Sequence, residues 1–213
     1  MTVRTLEELQ DLLNNELAWR KKELTTLKFS LDRCREHERP TFARAAICLL
    51  YAHWEGYIKA AANAYLEYVA RRRLAFRHLS YNFVALGLKS DFVTAGVPNA
   101  IEHRTAIVET LLAGLNRRPN IPFQDSIDAG SNLNSQRLRE ILGILGFDTA
   151  NYMKKKALID ERLLRSRNNV AHGTYLPIES GDYEDLYGEV LRLLEQFRTD
   201  VENSAATQKY RRL

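Results

Sequence analysis

Glycine and proline are scarce in this sequence, whose 213 residues include ten glycines and five prolines. They cluster between stretches of helical periodicity, whereas a strand-rich protein needs turn residues at short, regular intervals. Their scarcity argues against a β-sandwich or barrel and favours an all-α fold. A domain of this length buries most of the surface that its unfolded chain exposes, so it needs no covalent cross-links.

Cysteine is almost absent, and long apolar runs are missing. Cys34 and Cys48 fall on different predicted helices without metal-ligand spacing, so we expect two reduced core thiols. The longest apolar stretch, residues 45–58, contains His53 and Glu55 and is too short to span a bilayer. Because the N-terminus runs directly into a charged helix without a secretory hydrophobic region, the sequence predicts a cytoplasmic protein with no membrane partner.

The excess of positive charge is small. Lysine and arginine number 31 against 27 aspartates and glutamates, which gives a net charge of +4. That balance is compatible with a polyanionic partner but does not by itself predict one, since many proteins without such a partner share it. Three basic runs, at residues 71–73, 117–118 and 154–156, could line an RNA track or simply be solvated helix ends.

Helical periodicity and capping signals predict a single all-α domain over residues 1–213. Its core helices are expected at about residues 5–38, 40–73, 135–146, 152–172 and 182–205. The first two should form a long helical hairpin. Residues 77–134 hold most of the loop-forming residues around one further helix, at about 100–115, and are expected to be an insertion.

Three residue patterns set the expected helix starts. Thr5-Leu6-Glu7-Glu8 has the form of a capping box at the start of the first helix. Pro40 suits the first turn of the second helix, and Ser135 is expected to cap the third. The aromatic residues of the second helix are expected in the core rather than as base-stacking platforms, namely Tyr51, Trp54, Tyr57 and Tyr65.

The fourth predicted helix places a cation at the centre of an apolar face. At about 100° per residue, Arg167 lies within an arc formed by Ile159, Leu163, Leu164, Val170 and Ala171. A cation in that place usually has a partner, because removing water from an unpaired charge costs several kcal/mol. An ion pair with a purely structural role would meet this requirement as well as a functional partner would.

Asn168 and His172 are four residues apart and share one edge of this helix, whereas Arg167 and His172 diverge by roughly 140°. One straight helix therefore cannot aim Arg167 and His172 at the same atom. The helix could unwind at Gly173 and swing His172 round, or two copies of the chain could bring their Arg and His side chains into one cleft. Without any function, a His-Gly pair is also a common way to end a helix.

The segment Arg167-Asn168-Asn169-Val170-Ala171-His172 resembles the R-x4-H motif of the HEPN superfamily, the higher eukaryotes and prokaryotes nucleotide-binding domains. Five core helices with the motif on the penultimate one are similar to that fold too. Many ribonuclease members also carry E-x3-[KR] on an early helix. The matching residues here are Glu55-Gly56-Tyr57-Ile58-Lys59.

The resemblance implies cleavage of RNA without a metal or cofactor, by attack of the ribose 2′-hydroxyl on the adjacent phosphate. Arg167 would hold the pentacoordinate phosphate, and His172, at a helix C-terminus, would act as the acid. Asn168 would position the phosphate or the substrate. Glu55 would orient Arg167, and Lys59 would add positive potential at the mouth of the cleft.

The resemblance also implies a homodimer that acts as a toxin or antiviral effector and is restrained by an antitoxin or other regulatory protein. One alternative is a non-catalytic HEPN module that binds a nucleotide or a partner protein, and another is a helical assembly subunit. Some members with a nucleotidyltransferase antitoxin read R-x4-H-x-Y. Here Thr174 occupies that position and the tyrosine is Tyr175, so silencing by nucleotidyl transfer to it is not expected.

The other four histidines have no neighbours at metal-ligand spacing, so surface or packing roles are expected for each. They are His37, His53, His78 and His103.

Overall fold

The computed structural model describes residues 2–89, 101–124, 127, 132–175, 177 and 180–212. Over these residues the regular structure is helical, with a single isolated bridge between Leu79 and Arg211, which confirms the all-α prediction. The elements in chain order are α1 (Leu6–Arg33), α2 (Arg39–Arg71), a 3₁₀ turn (Phe76–His78), α3 (Tyr81–Gly87), α4 (Ile101–Leu112), α5 (Ser135–Leu145), α6 (Ala150–Met153), a π-helical segment (Leu158–Leu164), α7 (Arg165–Ala171) and α8 (Ser180–Ala206).

Helices α1 and α2 form the predicted hairpin. The capping box at the start of α1 is present: the Glu8 N–H donates to the Thr5 hydroxyl over 3.1 Å, and the Glu8 carboxylate accepts from the Thr5 N–H over 2.9 Å. Pro40 lies in the first turn of α2, as expected. Helix α1 ends at Arg33, earlier than predicted, because the backbone turns extended at Cys34.

Helix α2 is the central element of the bundle, since α1, α5, α7 and α8 all pack against it. The four aromatic side chains predicted to lie in the core are buried: Tyr51 almost fully, and Trp54, Tyr57 and Tyr65 fully. Rings of this size supply much of the apolar area that a core of this kind buries. Cys34 and Cys48 are both free and half-buried. Cys34 packs against the core, but neither thiol is fully buried as expected.

The cap of α5 is Asn134, whereas the sequence pattern predicted Ser135. The Asn134 side-chain oxygen accepts from the Arg137 N–H over 2.8 Å. Ser135 instead binds the carboxylate of Asp160, through its backbone N–H over 2.7 Å and its hydroxyl over 2.6 Å. These bonds join the start of α5 to the π-helical segment.

The fourth predicted helix, residues 152–172, is not one regular helix. Its middle is the π-helical segment, in which the Arg165 N–H donates to the carbonyl of Asp160, five residues back. Such a segment adds a residue to a turn and rotates the next part of the helix by about 100° relative to a straight one. The predicted apolar arc therefore holds only at its start: Ile159 and Leu163 are buried, while Ala171 is exposed.

The predicted insertion, residues 77–134, contains α3 and α4, and its positions 90–100, 125–126 and 128–131 lie outside the described residues. The last helix begins at Ser180, slightly before the predicted Asp182. None of the described helices is both long enough and apolar enough to cross a bilayer.

Candidate functional site

Arg167 lies where α7 packs against the central helix α2. Its guanidinium carbon is 4.2 Å from the centre of the Tyr51 ring, and its Nη1 donates to the side-chain oxygen of Asn168 over 2.8 Å. The side chain is partly exposed. A ring attracts a cation through its quadrupole but carries no net charge. Tyr51 therefore holds Arg167 against α2 without neutralising it.

Tyr51 is itself fixed by two hydrogen bonds. Its hydroxyl donates to Glu55 Oε2 over 2.6 Å and accepts from the backbone N–H of Leu133 over 2.6 Å. Burial raises the pKa of Tyr51 to about 12, and the hydrogen bond to Glu55 acts on this pKa in the same direction. The phenol is therefore protonated at neutral pH and can serve as the donor to Glu55.

Glu55 and Lys59 extend this network by one more turn of α2. Lys59 Nζ lies 2.8 Å from Glu55 Oε1, and both side chains keep some exposure to solvent. Tyr51, Glu55 and Lys59 are spaced four residues apart, so they lie one above another on one face of the helix. The described contacts of Glu55 reach Arg167 through the Tyr51 ring, which makes the expected orienting role indirect.

His172 lies at the C-terminus of α7, and its side chain is exposed. The backbone N–H of His172 donates to the backbone carbonyl of Asn168 over 2.9 Å, and the backbone N–H of Thr174 donates to the backbone carbonyl of Asn169 over 2.8 Å. Gly173 has φ +72°, as expected for the residue that ends a helix in this pattern. The backbone of His172, with φ −90° and ψ 9°, lies just outside the helical region. The bond from its N–H to the Asn168 carbonyl nevertheless keeps the helical pattern up to His172, so the helix does not unwind before this residue.

Two further residues of α2 lie beside Arg167 and the segment after α7. The thiol of Cys48 has a pKa raised by burial, and the nearby charge of Arg167 opposes that shift. The Arg44 guanidinium carbon is 5.6 Å from the centre of the exposed Tyr175 ring. Arg44, Lys59 and Arg167 thus lie on this face together with the carboxylate of Glu55, and a group of cations suits an anionic ligand.

The start of α5 also contributes to the position of Tyr51. Leu133, which donates to the Tyr51 hydroxyl, precedes Ser135 by two residues, and Ser135 is bound to Asp160. The π-helical segment therefore affects both residues of the contact between Arg167 and Tyr51. It sets the rotation of Arg167, and through Asp160 it anchors the segment before α5 whose Leu133 N–H bonds to Tyr51. Sequence reasoning missed Tyr51, although its spacing of four residues from Glu55 was the signal that could have found it.

Three of the other histidines and one lysine of the third basic run have packing or surface positions. His53 is buried, with Nε2 2.6 Å from a Glu23 carboxylate oxygen, while His37 and His103 are exposed. Lys155, from the third basic run, pairs with Glu189 over 2.7 Å. Within the described part of the chain, no three His, Cys, Asp or Glu side chains are grouped as a metal site requires.

In a comparison with known protein families, a family model described as RiboL-PSP-HEPN aligns with residues 15–203. The aligned range runs from α1 into α8 and includes both Arg167 and His172. Searches of curated proteins and of solved structures gave no match.

Proposed function

Because the chain belongs to the RiboL-PSP-HEPN family, whose all-α domain is often associated with ribonucleases, we propose that it is a metal-independent endoribonuclease. The observation that carries the proposal is the placement of Arg167. Its guanidinium is held 4.2 Å from the Tyr51 ring, partly exposed, on the same short helix that ends at the exposed His172. Phosphodiester cleavage without a metal needs proton transfer and stabilisation of phosphate charge, which an imidazole and a guanidinium can supply.

In the proposed reaction, the ribose 2′-oxygen forms a bond to the adjacent phosphorus, and the bond from phosphorus to the 5′-oxygen breaks. The products are a 2′,3′-cyclic phosphate and a 5′-hydroxyl. The fork of Arg167 stabilises the extra negative charge on the phosphate oxygens. His172 protonates the departing 5′-oxygen, which suits an imidazole at a helix C-terminus. Asn168, which accepts a hydrogen bond from Arg167, keeps the guanidinium in place.

Self-association completes the proposed site. Residues 167 and 172 diverge by roughly 140° on a regular helix, and the backbone bond from His172 to Asn168 supports a helical path up to His172. A homodimer in which both copies contribute α7 to one cleft brings an arginine of one copy to a histidine of the other. The second imidazole in such a cleft accepts the proton of the 2′-hydroxyl, so the proton balance closes without any outside base.

The supporting roles belong to α2. Tyr51 and Glu55 position Arg167, because the carboxylate fixes the phenol that carries the guanidinium. Lys59 adds positive potential near the proposed active-site cleft of the dimer. By analogy with the superfamily, the cellular role is that of a toxin or antiviral effector restrained by an antitoxin or another regulatory protein.

The decisive experiment incubates pure protein with RNA in an excess of chelator and examines the product ends. We expect 2′,3′-cyclic phosphate ends, which disappear in Arg167→Ala and in His172→Ala. Arg165→Ala is the matched control, because Arg165 is exposed on the same helix and pairs with Glu161. RNA that stays intact with the wild-type protein would refute the enzyme and favour the alternative, a non-catalytic module that binds a nucleotide or a partner.

A further inference from the structure

A cleft of about 440 Å³ lies at the opposite end of α2 from the motif. Its lining combines arginines with one amide and one aromatic ring, contributed by Ala70, Arg71, Arg73, Arg118, Pro119, Asn120, Ile121 and Phe123. We propose that this cleft binds a phosphate of the RNA backbone, as a second contact remote from the scissile bond. That the ligand is RNA rests on the proposed function, whereas the case for an anion rests on the cleft itself.

Two basic runs that are distant in sequence meet at this cleft. The backbone N–H of Phe76 donates to the carbonyl of Arg117 over 3.0 Å, and that of Arg77 donates to Leu115 over 3.0 Å. These bonds hold the segment after α4 beside the C-terminus of α2. Arg118 is thereby brought next to Arg71 and Arg73 by backbone structure rather than by any attraction between the side chains.

Among the described residues, few acids compensate the charges of this cleft. Arg71 binds Glu67 over 2.9 Å, but Arg73 and Arg118 are exposed and have no acidic partner within the described ranges. The described lining contains no carboxylate. Like charges that line one cleft repel each other, and an anion between them relieves the repulsion. A phosphodiester supplies that anion, and guanidinium forks match the geometry of its oxygens.

Phe123 and Asn120 add features that suit a nucleic acid strand better than a free ion. Phe123 is half-buried, and the Arg71 guanidinium carbon lies 5.6 Å from its ring centre. An aromatic face beside a phosphate-binding group can stack a base without selecting its identity. Asn120 is exposed and offers both a donor and an acceptor.

The distance from the motif decides what the cleft can contribute. Tyr51 and Arg71 are twenty residues apart on one helix, which at 1.5 Å per residue is about 30 Å. A dinucleotide cannot reach both sites, whereas a longer strand can. The cleft therefore strengthens the binding of long RNA and leaves the chemical step unchanged.

The backbone conformation of Arg73 allows a variant that removes its charge without a loss of stability. Its φ is +51°, in the left-handed region that glycine adopts with least strain and that commonly occurs just past the end of a helix. Arg73→Gly removes the charge and relieves the backbone at the same time. We expect its melting temperature to equal or exceed that of the parent, so weaker RNA binding cannot be attributed to unfolding. Arg118→Ala, in an exposed loop, is the second variant.

The test measures binding of a labelled single-stranded RNA of about 20 nucleotides by fluorescence anisotropy, in an Arg167→Ala background that does not cleave it. Arg73→Gly and Arg118→Ala should each weaken binding about three- to tenfold at low salt. Each should also reduce the slope of log Kd against log salt by about one, as the loss of one phosphate contact requires.

The matched control is Lys22→Ala, which also removes one exposed cation. Lys22 lies beside Leu49, two residues from Tyr51 and so on the other side of α2 from the motif, and far from the cleft. Cleft variants that bind RNA as tightly as Lys22→Ala would overturn the inference, even if the wild-type protein cleaves RNA. Conversely, the wild-type protein could leave RNA intact while the cleft variants bind RNA more weakly. That result would refute the nuclease proposal and support the cleft as an RNA-binding site.

Discussion

The guanidinium carbon of Arg167 lies 4.2 Å from the centre of the Tyr51 ring, so the cation of the motif is positioned by a side chain from another helix. Tyr51 is in turn bonded to Glu55 and to the backbone before α5. The orientation of Arg167 thus depends on the packing of three helices, and substitutions in any of them should alter activity in distinguishable ways.

Replacing Arg167 should abolish RNA cleavage. We expect Arg167→Ala to lower kcat at least about a hundredfold, the usual effect of removing a group that stabilises transition-state charge. Arg167→Lys keeps the charge but loses the fork and the flat surface on the ring, so it should recover little activity. Single-turnover cleavage of RNA measures both, and Arg165→Ala should retain wild-type rates. A fully active Arg167→Lys would show that only the charge matters.

Replacing Tyr51 with phenylalanine should keep the stack and remove both hydrogen bonds. Glu55 keeps its pair with Lys59 but loses the phenol donor at Oε2, and the Leu133 N–H is left unpaired, which should cost about 1–3 kcal/mol in stability. The looser Arg167 should lower kcat about tenfold. Tyr57→Phe is the control, because its buried hydroxyl has no hydrogen-bond partner in the described part of the chain. Equal kinetics for the two variants would contradict the positioning role of Tyr51.

The pKa of Tyr51 leads to a prediction about the pH profile of RNA cleavage by Tyr51→Phe. The pKa of Tyr51 is raised to about 12, mainly by burial, so the phenol stays protonated throughout the range in which a ribonuclease is assayed. The fall of activity on the alkaline side of a pH profile should therefore be the same in wild type and in Tyr51→Phe. A profile whose alkaline limb moves in this variant would identify Tyr51 as a titrating group and contradict the assignment.

Mixing two inactive variants tests the composite site. Arg167→Ala retains His172, and His172→Ala retains Arg167, so a mixed dimer holds one intact pair in its cleft. We expect RNA cleavage from the mixture although neither variant cleaves alone, together with a dimeric mass in solution. The rate should be below that of the wild type, because the mixed cleft holds one imidazole and the proton of the 2′-hydroxyl must pass to solvent water. A mixture that exchanges subunits, as mass measurement would show, but has no activity at all would contradict the composite pair.

Asp160 should contribute to stability through its two bonds to Ser135. Asp160→Ala leaves the Ser135 N–H and hydroxyl without this carboxylate, which should lower the free energy of unfolding by about 1–3 kcal/mol, as for buried hydrogen bonds to charged groups. Urea unfolding measures the change. Glu161→Ala, which removes an exposed partner of Arg165, should change stability by less than about 1 kcal/mol.

Much of this fold follows from local sequence rules. Helix existence, the hairpin and the capping box depend on residues close together in sequence, and these predictions are confirmed. The cap of α5 was misassigned because Asn134 and Ser135 are both good caps, and a distant carboxylate, Asp160, binds the serine. The π-helical segment leaves no periodicity of its own over seven residues, so a straight helix was the natural prediction.

The candidate site was predictable only in part. The spacing of Arg167 and His172 is visible in the sequence, and their divergence follows from helix geometry alone. The stack of Arg167 on Tyr51 could not be predicted, since it depends on how α7 is rotated against α2. The two basic runs that meet at the cleft were visible as charges, but their convergence depends on backbone hydrogen bonds between the segment after α2 and the segment after α4.

The π-helical segment makes the register of the motif sensitive to chain length. Deleting one residue from Leu158–Leu164 would let a regular helix form and would rotate all later residues of that helix by about 100° about its axis. The letters of the motif would be unchanged, yet the guanidinium would leave the Tyr51 ring and face another direction. Among relatives of this chain, the number of residues between Asp160 and Arg167 should therefore be as restricted as the motif itself.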